Sequence, residues 1–96
     1  MPAEKLGEET IQERLKNAPG WSVSGDALTK TFSFENFIQS MQFVNRLAEA
    51  AESAQHHPDM DIRYSKVTVS LSTHDSGGIT EKDFALAQEA DAVAER

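Results

Sequence analysis

The side chains best suited to chemistry in this sequence are its three histidines, and two of them, His56 and His57, are adjacent. Histidine ordinarily titrates near pH 6.5, so it gives and takes protons around neutrality. The pair closes the segment Glu52-Ser-Ala-Gln-His56-His57-Pro58. Pro58 disfavours α conformation at the residue before it and lacks a backbone donor, so both imidazoles are expected in or just past the last turn of a helix. Glu52 stands four residues before His56 and shares its helical face, where the carboxylate can accept a hydrogen bond from that ring. With the negative end of the helix dipole beside it, this pairing points to His56 as a proton donor. His74 comes from elsewhere in the chain, at the end of a strand and ahead of the loop Asp75-Ser-Gly-Gly-Ile, and loops at strand ends are where sites tend to be built.

Simpler explanations compete at each point. A histidine at a helix end caps carbonyls, and a glutamate one turn earlier is common surface decoration. The second imidazole and the arrival of His74 are what favour a site. With Glu52, Asp59, Asp61 or Asp75, the histidines supply enough donors for zinc or iron. Adjacent side chains diverge, however, and no His-Glu-x-x-His or other ligand spacing is present, so no metal is expected. The absence of cysteine removes disulfides, thiolate catalysis and Cys-ligated clusters. Gly77-Gly78 matches no phosphate-binding loop and reads as a turn. Trp21, Phe32, Phe34, Phe37 and Phe43 read as core and interface, and Glu4, Glu8, Glu9 and Glu13 as a solvated acidic face.

The elements that must position these groups follow from periodicity. Ile11, Leu15 and Ala18 recur at helical spacing over about Glu8 to Asn17, closed by Pro19-Gly20. Trp21 and Val23, a Gly25-Asp26 turn, then Leu28, Phe32 and Phe34 alternate as a hairpin whose apolar face Lys30 interrupts. From about Phe34 to Gln55, Phe37, Met41, Val44, Leu47, Ala48 and Ala51 form one stripe of a long helix. A second hairpin alternates Met60, Ile62 and Tyr64, turns near Ser65-Lys66, and continues through Val67, Val69, Leu71 and Thr73 to His74. Thr80, with Asp83 three residues on, caps a last helix whose apolar side carries Phe84, Ala87, Val93 and Ala94. The order α-β-β-α-β-β-α predicts an α+β two-layer sandwich: a four-stranded antiparallel sheet covered on one face by three helices.

Ninety-six residues make a single domain over 1–96, with any disorder expected over residues 1–7. A chain this short buries a modest core, so a homodimer or homotetramer is expected. The net charge of -7 and the lack of a basic stripe argue against nucleic acid as a partner. No signal-peptide pattern and no apolar run near the roughly 20 residues of a membrane span are present, so a cytoplasmic protein is expected.

Taken together, Glu52-x3-His56-His57-Pro58-x5-Tyr64-x9-His74-x8-Asp83 resembles the signature of the pterin-4a-carbinolamine dehydratases. The similarity continues through Gly20-Trp21, Tyr64-x-Lys66-Val67, Leu71-Ser72-Thr73-His74 and Gly78-Ile-x-Glu81-x-Asp83. It implies a cofactor-free hydro-lyase that dehydrates 4a-hydroxytetrahydropterin to quinonoid dihydropterin, recycling the pterin of aromatic amino acid hydroxylases. It also implies catalytic roles for His56, His57, His74, Glu52 and Asp83, and substrate contacts from Gln55, His56, His57, Ser72, Thr73, His74 and Asp75. Some relatives on this fold bind proteins instead, as a transcription-factor dimerisation cofactor or an assembly factor. Two positions depart from close relatives: Met60, where many have an aromatic residue, and Ser76, where some have cysteine.

Overall fold

The structure is a computed structural model that describes residues 3–95. Its elements are α1 (Glu8–Leu15), β1 (Ser22–Ser24), β2 (Ala27–Ser33), α2 (Phe37–Ala54), β3 (Asp59–Arg63), β4 (Lys66–Leu71), a 3-10 turn (His74–Ser76) and α3 (Glu81–Ala94). The strands form one antiparallel sheet in the order β1-β2-β4-β3, so the two hairpins join through β2 and β4. Alternation decides the faces. Leu28 and Phe32 of β2 and Val67, Val69 and Leu71 of β4 are buried against the helices. The other face carries Thr29, Thr31, Thr68 and Ser70, with the Thr31 and Thr68 hydroxyls 2.8 Å apart across the ladder. This is the α+β sandwich expected from the element order.

Lys30, the break in the apolar face, lies on the helix side without being stranded. Its Nζ is 2.7 Å from Asp91 of α3 and 4.9 Å above the Phe32 ring, and Asp91 also accepts from Trp21 Nε1 at 3.1 Å. At α1, Ile11 and Leu15 pack on the core and Arg14 sits over Phe84 while pairing with Glu81. The expected disorder over 1–7 falls partly on residues 1–2, which lie outside the described residues. Leu6 N donates to the Ile79 carbonyl at 2.8 Å.

Three expectations need correction. The central helix begins at Phe37 rather than Phe34, because Asn36 caps it by accepting from Gln39 N at 2.8 Å. Its core face is Ser40, Phe43, Leu47 and Ala51, while Phe37 is 46% exposed. Two apolar stripes lie side by side on this helix, and Phe43 selects between them by packing on Phe32 and Phe34, with ring centroids 4.7 and 5.2 Å away. In the second hairpin Lys66 begins β4 and the turn is Tyr64-Ser65, with Tyr64 at φ +53 and exposed.

Candidate active site

The β3–β4 register brings the histidines to one end of the sheet. Asp59 pairs with Ser70 and Met60 with Val69, so His56 and His57, which precede β3, and Ser72 and Thr73, which follow β4, lie toward the same end of the sheet. The approach to this point is set by the end of α2. Gln55 takes the left-handed conformation (φ 53, ψ 40), His56 N donates to Ala51 O and Gln55 N to Glu52 O, both at 3.1 Å. This is a Schellman ending with glutamine where glycine is usual. It turns the chain off the helix one residue before His56.

That turn changes the partners of the imidazoles. Glu52 accepts from His57, with Nε2 and Oε1 2.7 Å apart, and not from His56 as the i, i+4 spacing suggests. His56 is off the helix, and its Nε2 lies 2.6 Å from Asp83 Oδ1 on α3. The ground for making His56 the proton donor through Glu52 is therefore removed.

The two carboxylate–imidazole pairs differ in kind. The Asp83 side chain is fully buried and that of His56 is 11% exposed, whereas His57 and Glu52 are 65% and 79% exposed. A buried carboxylate must be satisfied by donors. Oδ2 of Asp83 accepts from the Thr73 hydroxyl and from Thr80 N, each at 2.9 Å, while Thr80 caps α3 by accepting from Lys82 N at 3.1 Å. The capping box expected from Thr80 and Asp83 thus forms, and its acidic member also holds a histidine. Among the described residues no buried side-chain polar atom lacks a partner.

The seven residues expected to touch substrate line one cleft of about 240 Å³. Gln55, His56 and His57 come to it from the end of α2, and Ser72, Thr73, His74 and Asp75 from the segment after β4. His74 is not the last residue of β4; it opens the 3-10 turn beyond it and is exposed. Lys82 also lines the cleft, brought there by the first turn of α3. Sequence reasoning passed over Lys82, and its position beside a capping residue was the available signal. Of the expected catalytic residues, Asp83 lies behind His56, and Glu52 lies outside the cleft, in a neighbouring, mostly apolar recess of about 420 Å³ that shares His57. Met60 lines that recess rather than the histidine cleft. Tyr64 is at the far end of β3, roughly 20 Å away at about 3.3 Å per strand residue. Among the described residues no group of three or more His, Asp or Glu is arranged to hold a metal ion.

Imidazoles brought to one cleft from two separate segments suit a substrate that must gain a proton at one atom and lose one at another. Residues 4–93 match the family model described as pterin 4 alpha carbinolamine dehydratase. A protein of Thermomicrobium roseum, provisionally named pterin-4-alpha-carbinolamine dehydratase, is 54% identical over 84 residues, covering 88% of this chain and 90% of its own. A protein of Thermosynechococcus vestitus with the same provisional name is 52% identical, with 90% of each chain covered. Among solved structures, a transcriptional coactivator/pterin dehydratase from Brucella melitensis superposes with a TM-score of 0.91 at 35% identity, over 95% of this chain and 99% of the other. A pterin dehydratase-like protein identified as a RuBisCO assembly factor in the alpha-carboxysome superposes at 0.64 and 27% identity, over 77% of this chain and 86% of the other.

Proposed function

The chain belongs to the pterin-4a-carbinolamine dehydratase family, and from that membership we propose that it dehydrates 4a-hydroxytetrahydropterin to quinonoid dihydropterin. The observation that carries the reading is the gathering of His56, His57 and His74 on one cleft, with His56 held by the buried Asp83. The reaction breaks the bond between C4a and its hydroxyl, which leaves as water with one added proton. The neighbouring ring nitrogen gives up a proton, and its electron pair closes the new C=N bond.

His56 is tied to Asp83 through Nε2, which leaves Nδ1 for the cleft. It takes the proton from the ring nitrogen, and the Asp83 carboxylate supplies the counter-charge. His74, which reaches the cleft from the segment after β4, delivers a proton to the departing hydroxyl. His57, oriented by Glu52 at the rim, positions the substrate. Backbone groups of Ser72 to Asp75 bind the amide and amino edge of the pterin. No cofactor or metal is called on. The role in the cell is recycling the pterin of aromatic amino acid hydroxylases, in the cytoplasm, as a homodimer or homotetramer.

The test is the absorbance decay of chemically made carbinolamine. Wild type accelerates it, and His56→Ala and His74→Ala each lose about 10²- to 10⁴-fold, the usual contribution of a general acid or base. Decay at the spontaneous rate with wild type would reject the dehydratase. A second reading, a protein-binding role on the same fold, is favoured by the coactivator and assembly-factor neighbours and by the exposed Phe37, Ile38, Ile62 and Tyr64. Retention of all three imidazoles favours the enzyme, since a binding-only protein has no use for them.

A further inference from the structure

The Thr73 hydroxyl does something that neither capping α3 nor touching substrate requires. A capping box is complete with Thr80 and Asp83 alone. Yet Thr73, from a different element, donates to Asp83 Oδ2 at 2.9 Å. A hydroxyl has one hydrogen. With it committed to Asp83, the 2.8 Å contact between the Thr73 and Thr80 oxygens has Thr80 as donor, and Thr80 in turn accepts from Lys82 N. The direction of every hydrogen bond in the chain is thereby determined: Lys82 N–H to Thr80, Thr80 to Thr73, Thr73 to Asp83. Oδ2 is filled by Thr73 and by Thr80 N, so the carboxylate cannot rotate without losing a donor, and Oδ1 is left aimed at His56. With Asp83 as a carboxylate, which only accepts, the hydrogen between them belongs to His56 Nε2. Among the described residues Nδ1 has no protein partner.

We propose that Thr73, backed by Thr80, is a positioning residue that locks the Asp83 carboxylate and thereby holds His56 as the Nε2–H tautomer with Nδ1 bare. The orienting partner of a functional imidazole sets which of its nitrogens can react. Thr73 then acts through its side chain on the enzyme, and only its backbone serves the substrate. The effect on rate rests on the dehydratase reading; the effect on the ring does not.

The experiment uses the full chain with ¹⁵N-labelled histidine, at a pH raised until the imidazole nitrogen shifts no longer change. Two-bond proton–nitrogen spectra identify the tautomer of each ring. In wild type His56 is expected to carry its hydrogen on Nε2. In Thr73→Val the single-tautomer pattern is expected to give way to a mixture, and kcat to fall about 10- to 100-fold, the range for removing a partner that orients a functional imidazole, with KM little changed. Thr73→Ser is expected to return the wild-type ring spectrum. An Nδ1–H ring in wild type overturns the proposal, and so does an unchanged His56 spectrum in Thr73→Val, whatever its rate. If the valine variant does not fold, Thr73→Ala makes the same comparison. Should wild type lack dehydratase activity, the proposed function fails while the spectra still decide the positioning role.

Discussion

At the scale of single residues, burial separates two acidic groups that the sequence presents as equals. Asp83 accepts three hydrogen bonds inside the protein, while Glu52 meets His57 at the surface. Replacing Asp83 by Asn leaves one acceptor oxygen for three donors and turns an amide N–H₂ toward hydrogens. Stranding a buried polar group costs about 1–3 kcal/mol, so Asp83→Asn should lower the urea midpoint plainly. An exposed pair contributes about 0–1 kcal/mol, so Glu52→Gln should leave that midpoint nearly in place. Equal losses from the two variants would contradict the role given to burial. The same contrast explains what was legible. The chain offers Glu52 as a partner for His56 and Asp83 as a helix-capping residue, but not which ring each carboxylate meets. One residue of left-handed backbone at Gln55 moves Glu52 from His56 to His57.

At the scale of elements, the readable features were those set by neighbours within a turn. The capping box at Thr80 and Asp83, the stop before Pro58 and the alternating faces of β2 and β4 all appear where spacing places them. The core stripe of α2 is not the one its spacing suggests, because this helix has two apolar stripes, and the choice rests on Phe43 meeting Phe32 and Phe34, which come from outside the helix. Alternation with Met60 and Ile62 puts Tyr64 on the strand, yet the pairing of Arg63 with Lys66 leaves it in the turn. The Schellman ending offers a test. A non-glycine residue in the left-handed region costs on the order of 1 kcal/mol. Gln55→Gly should therefore raise the melting temperature while weakening substrate binding, since the side chain lines the cleft. A lower melting temperature would show that the Gln55 side chain outweighs its own strain.

At the scale of the whole molecule, self-association is the expectation carried by chain length, and several side chains agree with it. Phe37, Ile38, Ile62 and Tyr64 are large, apolar and exposed, and among the described residues β3 is an edge strand with one side unpaired. Sedimentation equilibrium should return two or four times the chain mass at micromolar concentration; a single chain mass across that range would remove the proposal. By itself the sequence determined the proton-transfer chemistry available, the helix and hairpin boundaries to within a few residues, the sandwich, and the family. These depend on residue type and on interactions a few positions long. Only the tertiary structure decided that Asp83 serves His56, that Lys82 reaches the cleft, and that Tyr64 and Met60 stay out of it. Those outcomes depend on sheet register and on where α3 packs. A hydrogen bond is made or lost over a few tenths of an ångström, finer than any spacing rule resolves.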